Sequence, residues 1–251
     1  YDGNHAFILQ NPDGRVVFAI PFEAKFSLVG TTEVPCDGPF DHPAISDEEV
    51  DYLRDTVGRN FRRTMSRDDV IWSYSGLRAL ADDGSSNPSH MTRDYALELN
   101  AEGAPLLSVF GGKLTTYRRL AERAVDRIAE FLPTSSGAWT GGAFLPGGVI
   151  PDSDLQRYSR RLFEEYAELP PDLLSRLVRT YGTRGERLPE PVRTVADLGE
   201  HFGAGLYARE ADYLVANEWA RTAEDVLFRR TKLGLHVGSE TAERLTAYLA
   251  R

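Results

Sequence analysis

Gly111 and Gly112 close an apolar run, Pro105 to Phe110, and Lys113 follows them at the head of a helical pattern. A strand ending in two glycines brings the free N–H groups of a helix N-terminus to a sheet edge, with the positive end of the helix dipole facing outward. That geometry suits an anion, or a neutral group that gains negative charge during a reaction, and the glycines let a flat ligand lie against the backbone. An ordinary tight strand-to-helix turn would use the same residues. Three cations stand where elements begin or end: Arg78 after Tyr74-Ser75-Gly76-Leu77, Arg93 in Thr92-Arg93-Asp94-Tyr95, and Lys113. Cations on apolar strands are costly to bury without anionic partners, so these are candidates for gripping a phosphate or carboxylate. Local salt bridges, Arg93 to Asp94 or Arg78 to Asp82 and Asp83, are the plainer alternative.

Other constellations fail on spacing or context. Gly203-Ala204-Gly205-Leu206-Tyr207-Ala208 has the spacing of a dinucleotide fingerprint, but the polar, helix-like residues 197–202 stand where a strand should, so it reads as a helix–helix turn. A phosphate-binding loop at Gly112-Lys113 would need glycine at Leu107 and Ser or Thr at Leu114. His5, His42, His90, His201 and His236 show no metal-ligand spacing, and no Gly-x-Ser-x-Gly elbow is present, so neither a metal site nor acyl transfer is expected.

The elements that must position the glycine junction are legible around it. Residues 6–9, 15–20 and 26–32 read as strands, the first two joined by a turn at Asn11-Pro12-Asp13-Gly14. Ser46 and Glu49 form a capping box that opens a helix running to about Phe61. Residues 70–75, 91–99 and 105–110 are further strand candidates, the last apolar enough to be buried on both faces. Leu114, Tyr117, Leu120, Ala121, Ala124, Val125, Ile128 and Phe131 then recur at helical spacing, predicting a long amphipathic helix over residues 113–132. Residues 133–151 carry five Gly and three Pro and read as an interdomain linker. Beyond it come helix starts at Ser153, Pro171, Thr194, Thr222 and Ser239. The fold class is therefore α+β: an antiparallel or mixed sheet with a long helix over residues 1–132, a linker, and an all-α domain over residues 152–251.

Composition narrows the function classes. The chain has 251 residues, 29 Lys plus Arg against 38 Asp plus Glu, and a formal charge of -9, which argues against a nucleic-acid surface and makes any anion site local. Cys36 is the only cysteine, so there is no disulfide framework and a reducing compartment is expected. No run has the roughly 18 apolar residues of a membrane span, and Tyr1-Asp2-Gly3-Asn4-His5 has no signal-peptide pattern. The absence of an initiating Met suggests a piece of a longer chain.

Together these segments resemble the flavin-dependent glycerol-3-phosphate dehydrogenase family, the aerobic respiratory enzyme and its oxidase relatives. The resemblance rests on Ile20-Pro21, Val29-Gly30-Thr31-Thr32, Ser66-Arg67-Asp68-Asp69, the run Trp72 through Arg78, Thr92 through Tyr95, and above all Phe110 through Arg118 followed by Leu120-Ala121-Glu122. In the helical part it rests on Tyr181-Gly182, Val195 through Gly199 and Arg229-Arg230-Thr231-Lys232, so it covers nearly the whole chain.

The resemblance implies FAD as cofactor, held mainly by an amino-terminal Rossmann-type half whose glycine fingerprint this sequence lacks. Residues 1–132 would be the later, substrate-binding part of the oxidoreductase domain. The backbone of Gly111, Gly112, Lys113, Leu114 and Thr115 would contact the flavin pyrimidine edge, in agreement with the dipole argument. Arg78 would face the reacting carbon of glycerol 3-phosphate, Arg93 would take its phosphate, and Lys113 would serve flavin or substrate. The implied reaction moves hydride from C2 of sn-glycerol 3-phosphate to flavin N5, giving dihydroxyacetone phosphate, with electrons passing to quinone or oxygen. The implied setting is cytoplasmic, with a peripheral site on the inner face of the cell membrane, and basic helix faces such as Arg229-Arg230 are open to a membrane surface or a homodimer. Ala79 departs from the family's usual Pro after the arginine, and no general base is identifiable. The alternatives are a non-catalytic binding module that kept the fold without the cofactor, and an oxidase using oxygen.

Overall fold

The computed structural model describes residues 3–36, 38, 43–78, 94–132, 136–188, 192 and 194–251. The chain divides into two compact units, Tyr1–Gly141 and Gly142–Arg251.

In the first unit β1 (Phe7–Gln10), β2 (Val16–Phe22) and β3 (Phe26–Gly30) form an antiparallel meander in that order. The β1–β2 turn closes through Gly14, whose φ of +84° is left-handed and whose N–H donates to Asn11 O at 3.0 Å. Leu9 lies opposite Val17, and Phe7 opposite Ala19, so these residues share one face; Leu9, Val17 and Ala19 are buried there against Tyr52, Leu53 and Phe61. Helix α1 (Asp47–Asn60) supplies the first two and begins as its sequence dictates. Ser46 Oγ accepts from the Glu49 N–H at 3.2 Å and Glu49 Oε2 accepts from the Ser46 N–H at 3.0 Å. Residues 66–69 clamp onto this helix: Arg67 reaches Asp51 at 2.6 Å, and Asp69 accepts from the Ser66 N–H at 2.8 Å.

Two expectations for this unit are corrected. Residues 70–75 form no strand, because β-branched and aromatic residues need a ladder partner and none of the described residues pairs with them. The other strands do form, as the ribbon of β4 (Tyr95–Asn100) and β5 (Leu106–Gly111), with Leu97 opposite Val109; residues 91–93 of the expected strand lie outside the described ones. However, β5 is not buried on both faces: Leu106 is 63% exposed and Phe110 45%, since a two-stranded ribbon presents one face outward.

Helix α2 (Tyr117–Ile128) follows, with a 3₁₀ turn at Leu114–Thr116 before it and another at Ala129–Phe131 after it. The α-helical winding therefore starts four residues later than the glycine pair suggested. Lys113 is extended, and the β-branched Thr115 and Thr116 are poor α formers, so the entry tightens to i→i+3 bonds. None of the apolar residues of α2 is fully buried.

The second unit is helical, with one addition. Its α-helices are α3 (Leu155–Glu165), α4 (Pro171–Tyr181), α5 (Ala208–Asn217) and α6 (Ser239–Leu249), with a π-helical turn at Asp225–Arg230. The cap of α3 is Asp154, which accepts from the Arg157 N–H at 2.9 Å, and not Ser153; Ser239 is the first residue of α6, with Gly238 as its cap. The addition is a hairpin of β6 (His201–Gly203) and β7 (Leu206–Tyr207). Thr194 and Asp197 do form a capping box, but Gly199 at φ +78° ends that turn, and Gly203, Ala204 and Gly205, all with positive φ, make a hairpin turn where a helix–helix turn was expected. Leu173, Leu177, Phe202, Leu206, Leu214, Val226 and Leu245 fill the core, and complete burial of each such side chain stabilises by roughly 1.5–3 kcal/mol.

Candidate active site

The junction between β5 and α2 is the strongest candidate. Gly111 ends the ladder opposite Tyr95 with φ +73°, and Gly112 continues at φ +109°, so two successive left-handed residues turn the chain out of the sheet. A Cβ at Gly112 would lie 3.2 Å from Leu120 Cδ2 and 3.8 Å from Tyr95 Cβ, so the backbone angle strains any side chain there and the Leu120 side chain would have to give way to admit one. The Thr116 N–H donates back to Lys113 O at 3.0 Å, which makes Lys113 the residue before the first turn. By that geometry the N–H groups of Leu114 and Thr115 have no carbonyl one turn behind them and point outward. The Leu114 side chain is 87% exposed. Gly111, Gly112, Lys113, Leu114 and Thr115 thus form one continuous edge that offers amide donors with no side chain at the two glycines.

Polar contacts brace the helix behind this edge. Arg123 Nη1 donates to Tyr95 Oη at 2.8 Å, tying α2 to β4 beside Gly111. Arg118 pairs with Glu122 at 3.1 Å and donates to Thr140 Oγ1 at 3.2 Å. The Thr140 hydroxyl, which donates to Glu122, and then the Arg118 guanidinium hold the Glu122 carboxyl below its usual range. Thr140, expected to belong to a loose linker, is in this way fastened to α2.

Arg78 lies in the described stretch 70–78, which has neither strand nor helix and in which the Trp72 and Tyr74 rings lie 5.0 Å apart. Its guanidinium is paired with Glu33, a residue that the sequence did not single out although it directly follows Thr31-Thr32. Arg93 and Ala79 lie outside the described residues. Lys113 makes no ion pair among them.

Comparison with known families divides the chain much as the fold does, with the glycine edge in the first matched region and the helical unit in the second. Residues 2–118 match the family described as FAD dependent oxidoreductase, and residues 138–251 match the C-terminal domain of alpha-glycerophosphate oxidase. The chain is 49% identical over 251 residues to a glycerol-3-phosphate dehydrogenase of Pseudomonas aeruginosa, covering 99% of this chain and 49% of that protein. It is 44% identical over 246 residues to the aerobic glycerol-3-phosphate dehydrogenase of Escherichia coli, covering 97% and 49%. To the D-erythritol 1-phosphate dehydrogenase of Brucella abortus it is 43% identical over 238 residues, covering 94% and 47%. The chain belongs to the glycerol-3-phosphate dehydrogenase family. It spans about half the length of these curated relatives.

Proposed function

We propose that the chain is the later part of an FAD-dependent dehydrogenase that oxidises sn-glycerol 3-phosphate to dihydroxyacetone phosphate. The observation that carries this reading is the glycine edge between β5 and α2. Its two left-handed glycines and outward amides fit the rim of a planar ring that takes on negative charge. FAD, when bound, supplies the acceptor for the hydride leaving C2 of the substrate. The chain's own residues orient and hold. The amides of Lys113, Leu114 and Thr115, with Gly111 and Gly112, meet the flavin pyrimidine edge; Arg78 orients the substrate hydroxyl and Lys113 adds positive charge beside it; Arg93 grips the phosphate dianion through its planar fork.

The exposed apolar residues of α2 and its flanking turns, Leu114, Tyr117, Val125 and Phe131, support docking of an FAD-binding half against this unit. With the reading go a quinone acceptor and a cytoplasmic site of action at the inner face of the membrane. Among the described residues no helix is long and apolar enough to cross a membrane.

The test uses the FAD-loaded full-length enzyme under anaerobic conditions. Addition of glycerol 3-phosphate should bleach the visible flavin band, and a band that persists at saturating substrate overturns the reading. A second reading, a four-carbon polyol phosphate as substrate, is favoured by the similar identity to the D-erythritol 1-phosphate dehydrogenase relative. A kcat/KM for D-erythritol 1-phosphate above that for glycerol 3-phosphate would decide for it.

A further inference from the structure

We propose that Glu33 is a positioning residue for Arg78, a role that rests on Arg78 being the cation at the substrate's reacting carbon. The two residues are 45 apart in the chain, yet Arg78 Nη1 donates to Glu33 Oε1, and Glu33 is the one partner of that guanidinium among the described residues. The described residues 70–78 carry no strand or helix, so no ladder among the described residues fixes Arg78.

Glu33, by contrast, is carried by an anchored stretch. The preceding residue, Thr32, donates through Oγ1 to Glu49 Oε1 at 2.5 Å. The other oxygen of Glu49 accepts from the Ser46 N–H in the capping box of α1. Both carboxylate oxygens of Glu49 are thereby used, one for the helix start and one for the segment after β3. The geometry runs from α1 through Glu49 and Thr32 to Glu33, and from Glu33 to the guanidinium.

The pair is half-exposed on the arginine side, with side-chain exposures of 48% and 24%, and such a pair adds little to stability. Its use is directional. One guanidinium nitrogen is committed to Glu33, and the remaining donors are left in a fixed orientation to meet a ligand hydroxyl. The carboxylate also offsets part of the cationic charge, so the guanidinium orients the substrate without holding it more tightly before reaction than during it.

The experiment measures steady-state kinetics, FAD content and Tm of the FAD-loaded full-length enzyme as wild type, Glu33→Gln, Glu33→Asp, Arg78→Ala and the Arg78→Ala, Glu33→Gln double variant. Glu33→Gln should keep its FAD and its Tm, lose about 10- to 100-fold in kcat, and show a KM that is unchanged or lower. Glu33→Asp should recover part of that loss. In the Arg78→Ala background Glu33→Gln should have no further effect, because a residue acting through Arg78 is silent without it. A Glu33→Gln enzyme with wild-type kcat beside an impaired Arg78→Ala enzyme overturns the role of Glu33 and leaves that of Arg78 intact. Losses that multiply in the double variant overturn it as well, and so does loss of FAD in both Glu33 variants. A normal kcat in Arg78→Ala overturns instead the placement of Arg78 on which the proposal stands.

Discussion

Gly112 shows how little latitude the glycine edge has. At φ +109° an alanine is strained whatever the space, and its Cβ would press on Leu120. Gly112→Ala should cost on the order of 1–3 kcal/mol, read as a fall in Tm, and should lower FAD retention in the full-length enzyme. Arg93 belongs to the same scale, through chemistry and not through backbone. A charge-assisted hydrogen bond to a phosphate contributes about 1.5–3 kcal/mol, so Arg93→Ala should raise KM for glycerol 3-phosphate roughly 10- to 100-fold with FAD content unchanged. An unchanged KM would remove the phosphate role. Gly111, Gly112 and Lys113 were legible as a candidate site because their signal is contiguous: an apolar strand, two glycines, a helical period. Glu33 was not, since its meaning comes from a partner 45 residues away that no local pattern announces.

Local rules also decide which elements could be read. The capping boxes at Ser46 and Thr194 involve residues three apart and form as their spacing dictates. A strand over residues 70–75 was expected from composition alone, and composition cannot supply a ladder partner. The hairpin of β6 and β7 escaped notice for the opposite reason: its strands are three and two residues long, too short for any alternation to register. Its turn is nevertheless firmly held. Arg176 donates to Gly205 O at 2.7 Å and to both oxygens of Glu210, at 2.7 and 2.6 Å, and Tyr181 Oη donates to Glu210 at 2.7 Å. Burial first, and then the Glu210 carboxylate, raise the Tyr181 phenol far above its ordinary value, so it remains a donor at any working pH. Glu210 is only 4% exposed, so Arg176→Met, which strands its charge, should destabilise by about 3–5 kcal/mol in urea unfolding followed by circular dichroism. Replacing Glu210 by Leu in the same chain should restore part of the loss. At the entry to the π-helical turn, Asp225 accepts from the backbone N–H groups of Arg221 and Thr222 at 2.9 and 3.0 Å. These bonds, the Arg221 one foremost, lower its pKa. A lowered carboxylate pKa stabilises the fold above the unfolded value of about 3.9, and the contribution disappears as pH falls through the folded value. Tm should therefore drop below pH ~4 in the wild type, and Asp225→Asn should flatten that acid limb in a series of melts.

At the scale of the whole molecule, the chain holds the edge proposed to meet the flavin and a helical unit with a core of its own, within about half the length of its relatives. After incubation with FAD and desalting, the 251-residue chain alone should be colourless, and a retained flavin band would show that it needs no further half. What such a preparation would contend with is self-association. Among the described residues no third strand pairs with the ribbon of β4 and β5, and it shows Leu106 and Phe110 to water, the combination on which further strands add. Glu98, facing out opposite Ser108 in the middle of that surface, is the one charge interrupting it, a gatekeeper against growth by edge-to-edge stacking. That face should make the chain expressed alone sensitive to concentration, and the Glu98 carboxylate is the residue to leave untouched there.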